Sequence, residues 1–182
     1  MGSGVYGSSE GAQTALHIFQ KYIKHSSLCF NPDCYPYTVF NTLRGGTFIF
    51  NPTINGGATE TYSGILITAD GMIISYYQES PTCTANWGSG RYHNICAEVS
   101  VDINGKAKPN TVGIDIFKFY LTKDGFIPFG GDGASRNFET FCNKSKNIIA
   151  SGWACAAWVM LNENMDYLHC EDLSWHGKHK CK

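Results

Sequence analysis

A strong charge of either sign is missing from this chain of 182 residues, whose 14 lysines and arginines stand against 15 aspartates and glutamates for a formal net charge of −1. No lysine or arginine cluster is present to neutralise phosphates, so nucleic acid has little to bind, and a polybasic membrane surface is equally unsupported. Signatures of catalysis are also absent: there is no GxSxG elbow, no Walker loop and no dinucleotide loop. The run Gly130-Gly131-Asp132-Gly133 follows an apolar strand but lacks the downstream residues that cradle a phosphate, so it is read as a surface loop. No two cysteines have the CxxC spacing of a zinc ribbon or a thioredoxin site. No internal repeat, low-complexity tract or interdomain linker breaks the chain.

What is present is a β-rich composition: 14% aromatic residues, 20 glycines and only 16% charged residues. That length and composition suit one domain with a sizeable core. The 8 cysteines are Cys29, Cys34, Cys83, Cys96, Cys142, Cys155, Cys170 and Cys181. An even number without metal spacing reads as disulfides, hence export to an oxidising space, each bridge restricting the unfolded chain by roughly 2–4 kcal/mol. The expected pairs are sequence neighbours, 29 with 34, 83 with 96, 142 with 155 and 170 with 181, although spacing does not decide among the connectivities.

Met1-Gly2-Ser3-Gly4 looks like an expression scar and is set apart from residues 5–182, which are expected to form a single globular domain. Within it, 5–26 reads as helix, 27–60 as a connecting region and 61–182 as sheet and C-terminal region. Ala12, Leu16, Phe19 and Ile23 recur at helical spacing among polar residues and define one apolar face. Prolines and glycines punctuate residues 31–60, leaving one short strand near 47–50. Ile65–Thr68 and Met72–Tyr77 flank Asp70-Gly71, a dipeptide suited to a tight hairpin. Further strands are expected over 96–103, 114–121 and 126–129, with Asp124-Gly125 as another turn. The fold class expected is α+β, an N-terminal amphipathic helix packed on an antiparallel sheet.

Between two of those strands, Asp102, Asn104 and Asp115 offer hard oxygen ligands around turn-forming Gly105, Pro109, Asn110 and Gly113, as calcium requires. Lys106 and Lys108 put positive charge where more acid would help. A metal-free turn is therefore preferred, in which Asp115 bonds backbone amides and Asp102 makes a surface pair with a lysine. Other candidates are weaker. His93 near Cys96 makes a catalytic pair only if Cys96 is unpaired. His169, His176, His179 and Cys181 fit no established metal finger. Trp87, Tyr92, Trp153, Trp158 and Trp175 suit sugar stacking only if several share an exposed face, and Trp158, inside an apolar run, reads as core. Asn143-Lys144-Ser145 matches a glycosylation sequon and equally an ordinary polar turn.

Two blocks carry a family resemblance. The first is Asp102-Ile103-Asn104-Gly105, Pro109-Asn110, Gly113, Asp115 and Phe117, then Asp124-Gly125, Pro128 and Gly130. The second is Ala157-Trp158-Val159-Met160 followed by Asn164-Met165-Asp166-Tyr167-Leu168 and Cys170. In that order the blocks resemble the type IV pilins and the type II secretion pseudopilins of bacteria, over less than half the chain. The resemblance implies a structural subunit without enzymatic activity, polymerising through the face of Ala12, Leu16, Phe19 and Ile23. It implies copies of itself or related subunits as partners, and an apolar half of the first helix, removed here, that holds the subunit in the inner membrane before assembly at the cell surface. Some pseudopilins bind calcium in a comparable loop, so calcium at Asp102, Asn104 and Asp115 is the one cofactor implied. The competing reading is a secreted, disulfide-rich carbohydrate-binding or adhesion module.

Overall fold

The computed structural model describes residues 9–30, 39–49 and 63–182. Strand-forming sequence dominates them. β1 (His25–Cys29), β2 (Val39–Asn41), β3 (Thr47–Ile49), β4 (Ser63–Thr68), β5 (Ile73–Gln78), β6 (Ile95–Asp102), β7 (Ile116–Thr122) and β8 (Gly125–Pro128) are joined by three short helices, α1 (Ser9–Phe19), α2 (Phe138–Phe141) and α3 (Ala156–Asn162). Six strands make one antiparallel sheet in the order β1-β4-β5-β6-β7-β8, and β2 pairs with β3 alone. From β4 to β8 each neighbour in space is the next strand in sequence, as tight turns such as Asp70-Gly71 and Asp124-Gly125 dictate.

This corrects the expected fold class. Among the described residues no long N-terminal helix packs on the sheet. α1 has eleven residues, about 16 Å of rise, and stops at Phe19. Residues 20–24 turn back, so Ile23 reaches the core from beyond the helix. The next segment, His25-Ser26-Ser27-Leu28-Cys29, is poor in strong helix formers and becomes an edge strand on β4 instead. β1 thus begins inside the segment read as helix, and the region read as a connection with one strand contains the rest of β1 with β2 and β3. Phe50 lies outside the described residues.

Alternation along the strands sorts side chains to two faces. One carries Leu66, Tyr76, Ala97 and Val99, which bury Ala12, Ala15 and Leu16 of α1. The other carries Glu98 and Tyr120 and is covered by Tyr92, Phe129 and Ala134. A third cluster forms the C-terminal unit, where Phe138, Trp158, Tyr167 and Leu173 pack around the Cys142–Cys155 bridge. Two glycines let this unit lie against the sheet side of the molecule. Gly113 has φ +87° and a Cβ there would sit 3.0 Å from Gly152 O; Gly130 has φ +90° and a Cβ would sit 1.8 Å from Ala154 O. Any side chain at either place is both strained and blocked by backbone.

The disulfides Cys83–Cys96, Cys142–Cys155 and Cys170–Cys181 pair sequence neighbours as expected. Cys29 is also disulfide-bonded, and Cys34 lies outside the described residues. Several bridges in a chain of this size fit an oxidising, extracellular kind of environment. Among the described residues no helix is long and apolar enough to cross a membrane.

Candidate functional site

The loop between β6 and β7 is closed by its own carboxylates. Asp102 Oδ1 accepts the backbone N–H groups of Asn104 at 3.1 Å and Gly105 at 2.9 Å. Asp115 Oδ1 accepts from Thr111 N at 2.6 Å, while its Oδ2 accepts from Asn110 N at 2.8 Å and from Asn104 Nδ2 at 3.2 Å. The structure thus brings the three predicted calcium ligands together, but with amide hydrogens on the oxygens a cation needs, and with the Asn104 amide nitrogen turned inward. Among the described residues no group of three histidine, cysteine, aspartate or glutamate side chains is placed to hold a metal. Asp102 is 3% exposed, not the surface partner of a lysine.

Burial raises the Asp102 carboxyl to about 6, helped by the nearby charge of Asp115 and opposed by the two amides it accepts. The native state therefore holds this proton more tightly than the unfolded chain does, and its contribution to stability is lost as pH rises from about 4 to about 6. Asp102→Asn keeps an oxygen for both amides and removes the charge. It is expected to match the wild type in urea unfolding at pH 4 and to exceed it by about 1–2 kcal/mol at pH 8. Equal midpoints at pH 8 would show that the carboxylate is not held at a cost.

A second constellation escaped the sequence reading. Register puts Glu98 on β6 across from Tyr120 on β7 and Lys118 across from Ser100, so Lys118 reaches Glu98 on the diagonal. Lys118 Nζ donates to Glu98 Oε2 at 3.0 Å, and Arg136, from the loop before α2, donates to Oε1. The glutamate is 8% exposed. Burial alone pushes its carboxyl up, but the ammonium and the guanidinium outweigh that and hold it below the ordinary value. Both cations are roofed by indoles, Lys118 at 3.9 Å from the Trp153 ring and Arg136 at 4.7 Å from that of Trp87. Burial, with Glu98 as neighbour, raises the carboxyl of Glu79 alongside. Acid and cations are consumed by each other here, so the arrangement ties the 129–137 segment to the sheet. The sequence signal was a Glu and a Lys flanked by apolar residues within strands, Glu98 between Ala97 and Val99 and Lys118 between Phe117 and Phe119.

The remaining candidates separate in space. Cys96 is bonded to Cys83 and supplies no thiolate for His93. His176 reaches Asp132 at 3.2 Å, His179 accepts no shared ligand but lies against Trp158 and Trp175 O, and Cys181 is bridged to Cys170. Trp158 is fully buried, stacked on Phe138 at 4.0 Å, and Trp175 Nε1 donates to Gly130 O at 2.7 Å. Trp87 and Trp153, both half-buried, pack on the cations of the Glu98 cluster. Asn143 Oδ1 accepts the Ser145 amide at 2.9 Å, a local polar turn. Comparison with protein-family models, curated proteins and solved structures gives no match.

Proposed function

We propose that the chain is the exported head of an assembly subunit of the pilin and pseudopilin kind, a structural protein that packs against copies of itself or related subunits at a bacterial cell surface. The observation that carries this reading is where the two resemblance blocks fall. Asp102, Gly105, Asn110, Gly113 and Asp115 close the β6–β7 loop by hydrogen bonds, Asp124-Gly125 turns β7 into β8, and Trp158 with Tyr167 forms the centre of the C-terminal unit. These residues of the two blocks close turns or fill the core. Disulfides and a rigid sheet suit a head that keeps its shape outside the cell. The encoding gene tests the proposal. Upstream of Val5 it is expected to specify a short basic leader and about 20 apolar residues, enough for a membrane anchor. A reading frame that opens near Tyr6 without any such stretch overturns it.

A further inference from the structure

Of the three disulfides whose two cysteines are both described, the last differs from the other two in where it sits. Cys83, Cys96, Cys142 and Cys155 are each at most 3% exposed, whereas Cys170 and Cys181 are only partly buried. The loop they close, residues 170–181, is a cover. Its Trp175 ring lies 5.9 Å from that of Phe138 and 5.1 Å from that of Trp158, its His179 ring stands 5.6 Å from Trp158, and its Leu173 is 4% exposed. Its other ties are Trp175 Nε1 to Gly130 O, Trp175 N to Glu139 Oε1, Cys181 N to Asp166 Oδ2, Asn164 Nδ2 to His179 O and, at exposed side chains, His176 to Asp132 and Ser145 Oγ to Glu171 Oε1. The Lys178–Asp172 ion pair is internal to the loop and anchors it to nothing. A shallow cleft lined by Phe138, Tyr167, Cys170 and Leu173 marks the seam where cover meets core.

We propose that Cys170–Cys181 is a thiol-sensitive clasp whose reduction lifts this cover and bares the Phe138–Trp158 stack as an aromatic surface, while the sheet stays folded. The reductant is a dithiol. One thiolate attacks a clasp sulfur to give a mixed disulfide and one free cysteine; the second thiolate closes on the first, leaving the reductant as a cyclic disulfide and Cys170 and Cys181 as thiols. Two electrons pass from dithiol to clasp. Access decides the selectivity, because a thiolate must approach a sulfur in line, and the buried bridges offer no such approach without wider opening. Removing the covalent tie leaves a twelve-residue segment held by a handful of hydrogen bonds, which opens locally.

The test is a time course on the folded, oxidised protein in dilute dithiothreitol at pH 8, with thiols alkylated at intervals and located by peptide mass. Cys170 and Cys181 are expected to label at least about tenfold faster than Cys83, Cys96, Cys142 and Cys155. In step with that labelling, tryptophan emission should shift to the red and the near-ultraviolet dichroism should fall, with the far-ultraviolet spectrum unchanged. The double variant Cys170→Ser, Cys181→Ser is expected to show the same emission without reductant. Labelling of all bridges together, or complete labelling of Cys170 and Cys181 with unchanged tryptophan signals, overturns the proposal. If the double variant does not fold, the wild-type time course decides alone.

Discussion

Trp158→Ala is expected to lower the free energy of unfolding by about 3–5 kcal/mol, measured by urea denaturation with the disulfides intact. The indole is fully buried, lies 4.0 Å from the Phe138 ring at an interplanar angle of 11°, and fills the space between Phe138 and Trp175. Truncation removes that packing and leaves a cavity that neighbours pinned by Cys142–Cys155 are poorly placed to close. It also removes one of the two donors to Asn164 Oδ1, which accepts the indole N–H at 3.0 Å and keeps the backbone N–H of Asp166 at 3.1 Å. Because the C-terminal cluster is distinct from the one under α1, the near-ultraviolet signal of the tryptophans should weaken before the strand signal does. A loss below about 1 kcal/mol would mean that the stack contributes little and that the disulfides hold this unit without it.

Glu98→Gln is the second large effect. It removes the acid that bonds both Lys118 and Arg136 and leaves two half-buried cations facing an amide. Breaking a buried pair from one side costs about 3–5 kcal/mol, because the stranded charge keeps its desolvation penalty. The effect should depend on pH. The Glu98 carboxyl is held below its ordinary value, so its contribution is present above the unfolded-state pKa near 4.5 and is lost as pH falls below it. Wild type and Glu98→Gln are therefore expected to differ widely in urea midpoint at pH 7 and to converge toward pH 3. A constant difference across that range would place the damage in packing rather than charge. Lys118→Met with Glu98→Gln serves as the companion, since a methionine leaves one stranded cation fewer and should recover part of the loss.

The fold was legible where chain-local chemistry decides it. Asp70-Gly71 and Asp124-Gly125 mark their hairpins because tight turns need residues that tolerate positive φ, and Gly71 and Gly125 have φ +95° and +134°. Three of the four expected neighbour pairs of cysteines are present, although spacing alone did not decide among the connectivities. The role of Asp115 as an acceptor of backbone amides followed from its place beside Asn110 and Gly113. Where long-range register decides, the sequence was silent. His25-Ser26-Ser27 has no apolar alternation, and it pairs because β4 offers an open edge. The partnership of Glu98 with Lys118 and Arg136 depends on which β6 residue faces which β7 residue, set by a loop whose length alone does not fix it. Asp102 looked like a surface acid because nothing local shows that the hairpin turn folds over it. The helical period through Ile23 continued past the true helix end because an apolar residue in a turn can land on the same face as the helix before it.

The backbone contacts at Gly113 and Gly130 set a rule for exchanging parts between proteins of this kind. A chimera that transplants residues 138–182 onto a foreign sheet must import both glycines with them, because each belongs to the recipient side of a junction too tight for any β-carbon. Shuffling at the apparent border between sheet and tail would break that junction, so the inheritable module runs back through β7 to Gly113.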